Sequence, residues 1–431
     1  MTISPEKLLS DLIKIKTVNP PGNETAAAEY LMNLFNEVGL ESEIVEPEAG
    51  RGTFIARIGK GPKKLLFVSH LDVVPVGDDW DFEPFSGEVK DGVIYGRGAL
   101  DCKDLTAAQV VAALELQAEG VPLNGQIIIV ATADEEKGGT LGADYLIKKE
   151  ADKIKADYAV NEGADQPILI NDKLAYFIQV GEKGTAWCTL KAHGVAGHGS
   201  MPTLADNAVV KMARAVSRLH NYRAEVVVVP EVEKLLKSLA KLCNLELKSC
   251  SADDVDALLE KLPLEKAFVE ALRSMTRMTV SPNQIRGGTK TNIVPDYCEA
   301  DIDIRILTGQ DCDYVEKELR MIISKDIEIE FTECKDPTFS SADDSFYHLM
   351  EEITLDLTGK DTICLPVISS GSTDSKYLRG AGIPSYGIGL MAPGFDQEAR
   401  STIHGRNERI DIASLHLKTA FLKELARRYL G

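Results

Sequence analysis

The stretch KKLLFVSHLDVVP, residues 63–75, joins an apolar run to a histidine and an aspartate. The apolar residues predict a buried strand, and His70 and Asp72 follow at its carboxyl end. Because successive strand side chains alternate faces, these two side chains should point the same way. A carboxylate beside an imidazole is the usual way to orient a metal-ligating or catalytic histidine. On the pair alone, a partly exposed histidine at a strand end is the simpler interpretation.

The sequence around this strand alternates apolar strands with helices from residue 63 to residue 163. LLFV (65–68), QIIIVATA (126–133) and DYAVNEG (157–163) are predicted strands, and DLTAAQVVAALELQAEG (104–120) is a predicted helix. Continuous apolar strands separated by helices favour an α/β fold, with a mixed, largely parallel sheet covered by helices. Ligand chemistry in such sheets collects at the carboxyl ends of the strands, where polar residues of this chain lie. These residues are His70, Glu135, Glu136 and Glu162.

The pattern changes near Gly184, where half-exposed strands and amphipathic helices replace the continuous apolar strands. We therefore predict three segments: residues 1–183 as the first part of a catalytic domain, 184–335 as an inserted α+β domain, and 336–431 as the second part of the catalytic domain. The last segment returns to the α/β pattern and ends in a predicted helix.

Composition limits the function classes. The 431 residues are 44% hydrophobic and 27% charged, which is typical of a folded globular protein. The net charge of −19 argues against nucleic acid or an anionic membrane as a partner. No apolar run approaches the roughly 20 residues that span a bilayer, and the N-terminus lacks the apolar core of a signal peptide. Eight scattered cysteines without a CxxC pair predict reduced, mostly buried thiols and a cytoplasmic location.

Several acids and histidines are candidate metal ligands. Asp101 lies in a glycine-rich turn before a helix, where it could simply complement the helix dipole. Glu135 and Glu136 follow a strand, where they could also be a solvated pair in a turn. Two histidines and three carboxylates suit two divalent ions that share one bridging carboxylate, and nitrogen ligands favour zinc. Glu135 would then be free to act as a general base. The predicted ligands are His70, Asp101, Glu136, Glu162 and His404.

Eight motifs in order resemble those of the metallopeptidase family that contains acetylornithine deacetylase, succinyl-diaminopimelate desuccinylase, aminoacylase and glutamate carboxypeptidase. They are SHLDVVP, GRGALDCKD, ATADEEKGG, NEG, GHGSMP, GGTKTNIVP, GSTDS and IHGRNE. The resemblance implies that Asp101 bridges two zinc ions, for which cobalt or manganese could substitute. It assigns Glu136 with His404 to one ion and His70 with Glu162 to the other. Asp72 would then orient His70, and Glu135 would be the base.

The resemblance also implies roles for residues of the inserted domain. His198, which could otherwise be a turn histidine without a role, would stabilise the oxyanion, often from a partner subunit. Asn292 and Arg305 would bind a free carboxylate of the substrate, and Gly371 would supply a backbone N–H. For Arg305 the alternative is a surface arginine paired with Asp301 or Asp303.

Two positions depart from the family pattern. Cys102 replaces a methionine after the bridging aspartate, and Asp104 replaces a glycine. Neither change removes a ligand. We expect Asp104 to cap the following helix, although it could also add negative charge near the metal site.

The resulting hypothesis is a two-zinc hydrolase that cleaves the amide bond of N-acyl amino acids next to a free carboxylate. The alternative is a carboxypeptidase that releases a C-terminal amino acid from peptides. A non-catalytic scaffold that kept only the fold is disfavoured because all the ligands and the base are present. The expected partners are a small N-acyl amino acid or short peptide and a second copy of the chain, bound through the inserted domain, which would also act as a lid.

Overall fold

The computed structural model describes residues 3–164, 166–359 and 361–431, and it divides the chain into two compact units. Unit 1 comprises Met1–Val180, Phe339–Val367 and Thr373–Gly431, and unit 2 comprises Gly181–Thr338 and Ile368–Ser372.

The helices of the described residues are α1 Pro5–Lys14, α2 Glu24–Glu37, α3 Lys103–Ala118, α4 Ala143–Lys149, α5 Ala151–Ile154, α6 Ala208–Asn221, α7 Pro230–Leu242, α8 Ala252–Lys261, α9 Lys266–Ser274, α10 Cys312–Ile322, α11 Ser345–Thr358, α12 Ser375–Gly380 and α13 Ile412–Leu430.

The strands are β1 Ser42–Val45, β2 Thr53–Gly59, β3 Lys63–His70, β4 Glu88–Lys90, β5 Val93–Tyr95, β6 Gly125–Thr132, β7 Tyr158–Glu162, β8 Ile168–Ile170, β9 Lys173–Glu182, β10 Gly184–His193, β11 Gly197–His198, β12 Thr279–Gly287, β13 Ile293–Val294, β14 Tyr297–Ile306, β15 Ile327–Lys335, β16 Thr338–Phe339, β17 Ile363–Ser369, β18 Ser385–Ile388 and β19 Arg409–Asp411.

The main sheet of unit 1 has the strand order β1-β2-β6-β3-β7-β18-β9-β16, and β17 and β8 also pair with β9. Its centre, β6-β3-β7-β18, is parallel, whereas β1, β2 and β9 pair in the antiparallel sense. The predicted fold class, a mixed and largely parallel sheet covered by helices, is therefore confirmed. Because β3, β6 and β7 run in parallel, their carboxyl ends meet at one edge of the sheet.

Burial explains why these strands occupy the centre. β3 is buried from Leu65 to His70, and β6 is buried along nearly its whole length. Such strands have both faces covered, and α3 covers one of them. α3 is itself buried on most sides because α1 and α13 pack against it. The carboxyl edge of the sheet is thus supported by a rigid core.

Unit 2 contains an antiparallel sheet with the order β12-β14-β10-β15. β14 alternates buried and less buried residues, as expected for a sheet with one covered face, and α6 and α10 contribute to that core. Whether this unit acts as a lid or a dimerisation domain stays a prediction.

One expectation about the cysteines is wrong. Cys312, at the start of α10, forms a disulfide with Cys334, near the end of β15. The two residues are far enough apart in sequence that no CxxC pattern marks them, yet the fold places their Cα atoms 6.2 Å apart. Among the described residues, the other six cysteines form no disulfide.

In the part of the chain that the structure describes, no helix combines the length and the apolar character needed to cross a membrane.

Candidate metal centre

Three parallel strands deliver His70, Glu136 and Glu162 to the carboxyl edge of the unit 1 sheet. His70 is the last residue of β3, and its side chain is only 1% exposed. Glu162 is the last residue of β7, and Glu136 lies in the short 3-10 turn Glu135–Lys137 that follows β6. Nε2 of His70 lies 3.6 Å from Oε1 of Glu162.

Asp101 lies between two imidazole rings. Its Oδ1 is 3.1 Å from Nε2 of His70, and its Oδ2 is 3.1 Å from Nε2 of His404. The same nitrogen of His404 lies 3.2 Å from Oε2 of Glu136. The two oxygens of one carboxylate therefore face two separate sets of ligand atoms, which is the arrangement that a bridging ligand requires.

The pKa values of these groups reflect their proximity. Burial disfavours the charge of Asp101, but hydrogen bonds from His404 and His70 outweigh it and hold its pKa well below the usual value. Hydrogen bonds to Asp101 and Glu136 raise the pKa of His404 to about 10. Burial raises the pKa of Glu162 to about 7, although His70 opposes the shift. The cluster thus attracts positive charge at neutral pH.

The donor set fits divalent metal ions. Ligand atoms of His70, Asp101 and Glu136 lie within 4.8 Å of one another, and so do those of His70, Cys102 and Glu162. Oε1 of Glu136 is buried and has no hydrogen-bond partner among the described residues. A buried carboxylate oxygen without a partner is costly unless something else satisfies it. Two imidazoles and three carboxylates suit zinc better than magnesium or calcium.

Asp72 supports this cluster from behind. It is fully buried, and Nδ1 of His70 lies 2.9 Å from its main-chain oxygen and 3.5 Å from its carboxylate. The carboxylate also accepts the main-chain N–H groups of Glu135 and Glu136, at 3.1 and 3.0 Å. Asp72 therefore orients the His70 ring and the turn that carries both glutamates.

Glu135 lies in surroundings that change the pKa of its carboxyl group. Burial, and then the nearby charge of Glu162, raise the pKa of Glu135 well above its usual value. The turn is entered through Asp134, whose φ of 67° lies in the left-handed region, and Asp134 is held by Arg51 at 2.9 Å. A carboxylate with a raised pKa is a stronger base than an ordinary carboxylate, as general-base catalysis requires.

Sequence reasoning overlooked Asn19 and Asp374. Nδ2 of Asn19 donates to Asp72 at 2.8 Å. Asp374 is buried behind the turn and accepts from the Thr132 hydroxyl at 2.7 Å, and burial raises its pKa to about 6. Asp374 belongs to the GSTDS motif, so a signal was present, whereas Asn19 lies in a segment for which we predicted no role.

The predicted site residues of unit 2 lie apart in the sequence from the five predicted ligands, which belong to unit 1. His198, in β11, is exposed, and its Nδ1 lies 2.7 Å from the Ser200 hydroxyl. β11 pairs with β13, and the main-chain oxygen of Asn292 accepts the N–H of Gly199 at 2.8 Å. The fold therefore brings the His198 and Asn292 segments of unit 2 together.

Arg305, on β14, forms the ion pair that the alternative interpretation proposed. Its Nε donates to Asp303 at 2.8 Å, and its guanidinium lies 5.2 Å from the centre of the Trp187 ring. The N–H of Gly371 donates to the Ser369 hydroxyl at 3.1 Å.

The two departures from the family pattern occupy buried positions. The Cys102 sulfur accepts the main-chain N–H of His70 at 3.2 Å. Asp104 lies in the first turn of α3, as expected, but the residue at the N-cap is Cys102, whose side chain makes no capping hydrogen bond. Asp104 is instead 1% exposed and bonds to Lys418 of α13 at 2.5 Å. A buried carboxylate needs such a partner.

Comparisons with known proteins point to one metallopeptidase family. Residues 66–428 match the model of peptidase family M20/M25/M40. A curated relative, the probable succinyl-diaminopimelate desuccinylase of Staphylococcus aureus (strain MRSA252), is 26% identical over 90% of this chain and 89% of its own. The M20 family metallo-carboxypeptidase Sso-CP2 of Sulfolobus solfataricus has a similar structure, with a TM-score of 0.74, 22% identity and 99% coverage of both chains. A dinuclear metal binding peptidase of the M20 family from Bacillus subtilis is also similar, with a TM-score of 0.64 and 15% identity. The match covers 99% of this chain and 97% of the Bacillus chain.

Proposed function

The chain belongs to peptidase family M20/M25/M40 and is a metal-dependent amidohydrolase, and we propose that it hydrolyses the amide bond of N-acyl amino acids. The observation that supports this most strongly is the position of Asp101 between His70 and His404, within 3.1 Å of each. The name of the Staphylococcus aureus relative supports a substrate whose amide joins an acyl group to an amino acid.

We propose that His70 and Glu162 hold one ion, that Glu136 and His404 hold the other, and that Asp101 bridges them. The description of the Bacillus subtilis neighbour as a dinuclear metal binding peptidase supports two ions per subunit. The imidazole ligands support zinc as the resident metal, with cobalt or manganese as possible substitutes. Bound divalent ions would polarise the substrate carbonyl and make the attacking water more acidic.

Side chains of the protein would carry out the proton transfers. Glu135 takes a proton from the attacking water as the water oxygen bonds to the carbonyl carbon, and its raised pKa suits that task. When the C–N bond breaks, Glu135 gives the proton to the leaving nitrogen. The products are a carboxylate and a free amine. His198 would donate a hydrogen bond to the oxyanion that forms on the carbonyl oxygen.

We propose that Arg305, Asn292 and Gly371 bind the free carboxylate of the substrate. A guanidinium fork matches a carboxylate, and Arg305 already pairs with that group on Asp303. The substrate would have to compete with Asp303 or share the guanidinium with it.

Carboxypeptidase activity is the second candidate, and the structural similarity to the Sulfolobus metallo-carboxypeptidase favours it. Both reactions cleave an amide next to a free carboxylate, so the same residues would serve. Rates on N-succinyl amino acids, N-acetyl amino acids and short peptides, measured with added zinc or cobalt, separate the two. Faster hydrolysis of peptides than of every N-acyl amino acid would overturn the deacylase proposal, and metal-loaded protein inactive on all of them would overturn both.

We further propose a homodimer formed through unit 2. We also propose a cytoplasmic location, in which the pairing of Cys312 with Cys334 would be unusual, since reducing conditions there keep most thiols reduced. Large apolar side chains of unit 2 that lie exposed support a protein interface there. They include Val195, Met201, Leu204 and Ile285. Light scattering of the purified protein gives the oligomeric state, and a monomer at micromolar concentration would overturn the dimer.

A further inference from the structure

Glu408 lies completely buried in the loop that follows His404. Its Oε1 accepts three main-chain N–H groups of the loop that carries Asp101. The donors are Gly98 at 3.1 Å, Leu100 at 2.9 Å and Asp101 itself at 3.0 Å. Its own main-chain oxygen accepts the N–H of Gly96 at 2.9 Å. Glu408, which lies four residues after the proposed ligand His404, thus holds the main chain at the proposed ligand Asp101.

Arg97 completes this arrangement from the same loop as Asp101. Its Nη1 bonds to Oε2 of Glu408 at 2.6 Å, and its side chain is 1% exposed. Its Nη2 donates to the main-chain oxygen of Gly405 at 2.8 Å and of Pro75 at 3.3 Å. The guanidinium also lies 5.2 Å from the centre of the Trp80 ring.

These contacts join three loops at one buried ion pair. One loop follows His70 and Asp72, the second carries Asp101, and the third carries His404 and Glu408. Relying on the proposed two-metal function, we infer that Glu408 and Arg97 are positioning residues that set the distance between Asp101 and His404, and so control the affinity for the ion between them.

A carboxylate oxygen that accepts three N–H groups fixes the direction of the main chain at Asp101, because small rotations would break several bonds at once. A buried ion pair adds little net stability but tolerates few alternative geometries. Residues that orient ligands from behind typically change metal affinity 10- to 100-fold when replaced. Glu408 and Arg97 touch ligand-bearing backbone and no reacting atom.

The first experiment is a titration of metal-free protein with Co²⁺, followed by visible absorption and by metal analysis. We expect wild-type protein to bind two ions. Glu408→Gln keeps one oxygen for the backbone N–H groups but turns an amide NH₂ toward Arg97. We expect its affinity for the ion at His404 and Glu136 to fall about 10- to 100-fold, with an altered cobalt spectrum and a smaller effect at His70 and Glu162.

A second variant separates positioning from simple loss of charge. In Arg97→Met/Glu408→Gln, the guanidinium that opposes the amide NH₂ is absent, so part of the lost affinity should return. Arg97→Lys should give a smaller loss than Glu408→Gln, because lysine keeps the charge but cannot reach all the partners of the planar guanidinium. The control is Leu425→Ala, a cavity in the buried face of α13, which should lower the melting temperature and leave cobalt binding unchanged.

The outcomes are distinct. Folded Glu408→Gln and Arg97→Lys proteins that bind two Co²⁺ ions with wild-type affinity and spectrum would overturn the inference and leave the proposed function intact. If Leu425→Ala lost cobalt to the same extent, the effect would be one of general stability and the inference would also fail. Wild-type protein that binds fewer than two ions would overturn the proposed function itself.

Discussion

The carboxylate of Asp72 accepts the main-chain N–H of Glu135 at 3.1 Å. The same carboxylate lies behind the His70 ring and accepts the N–H of Glu136 at 3.0 Å. A proposed ligand from β3 and the proposed base after β6 therefore depend on one buried acid. Its position explains why an aspartate follows two residues after the histidine in the sequence.

Replacing Asp72 should disturb both sides of the cluster. In Asp72→Asn, one acceptor oxygen becomes an NH₂ group that faces main-chain N–H donors, so we expect kcat and metal affinity to fall 10- to 100-fold. Steady-state kinetics and zinc titration measure the two effects. Asp91→Asn is the matched control, because Asp91 is exposed in a turn at φ 51° that asparagine also adopts. Equal losses in both variants would contradict the role of Asp72.

Glu135→Gln should bind two ions and yet be nearly inactive. The amide cannot accept a proton from water, and general-base catalysis contributes about 10²- to 10⁴-fold, so we expect kcat to fall by at least the lower value. Metal analysis and kcat are measured on the same sample. Glu136→Gln is the companion variant, and it should instead lose metal. A fully active Glu135→Gln protein would remove Glu135 from the mechanism.

Metal binding should release protons. In the metal-free cluster the pKa of His404 is raised to about 10 and that of Glu162 to about 7, so at neutral pH His404 holds a proton and Glu162 is about half protonated. A metal ion binds the neutral imidazole and the carboxylate, and it must displace those protons. Affinity should therefore rise with pH between about pH 6 and pH 9. Calorimetry in two non-chelating buffers of different ionisation enthalpy counts the protons released. Metal affinity that is constant over this range would refute the prediction.

Part of the fold and of the candidate site follows from local sequence patterns. The apolar runs of β3, β6 and β7 predict a parallel sheet, and that fold class is confirmed. Strand ends then place His70, Glu136 and Glu162 at one edge. The roles of these residues remain proposals, but their proximity follows from the direction of the strands.

Other contacts could not be predicted because they join distant segments without a repeating pattern. The neighbouring residues predict that Asp104 caps α3, yet its partner Lys418 lies 314 residues away in the sequence. Arg97 and Glu408 are separated by 311 residues. Cys312 and Cys334 form a disulfide that only the packing of α10 against β15 creates. Such pairs depend on tertiary geometry, which cannot be inferred from hydrophobic periodicity.

Arg305→Met should raise KM more than it lowers kcat if the guanidinium binds the substrate carboxylate. Hydrogen bonds to charged groups contribute about 1.5–3 kcal/mol, so KM should rise roughly 10- to 100-fold. Arg286→Met is the control, since Arg286 is a half-exposed arginine on β12 that also pairs with strand carboxylates. An unchanged KM in Arg305→Met would mean that Arg305 pairs only with Asp303 and does not bind the substrate carboxylate.

Removing the disulfide should destabilise unit 2. The bridged residues are separated by 22 positions, and closing a loop of that length in the unfolded chain contributes about 3 kcal/mol. We expect Cys312→Ser/Cys334→Ser to lose stability of that order in denaturant unfolding. The free thiol Cys243 provides the control, and Cys243→Ser should have little effect. Unchanged stability of the double variant would mean that the two thiols are reduced in solution.

The order of the segments of unit 1 along the chain affects how the protein is made. α13 packs against α3, and Phe421, Leu422 and Leu425 are buried in the core that the two helices share. During translation α3 leaves the ribosome long before α13 is synthesised. The nascent chain therefore exposes the apolar surface of α3, to which chaperones can bind. His404 also emerges late. With the proposed ligands, the metal site is therefore complete only after translation has passed His404, more than 300 residues beyond His70 and Asp101.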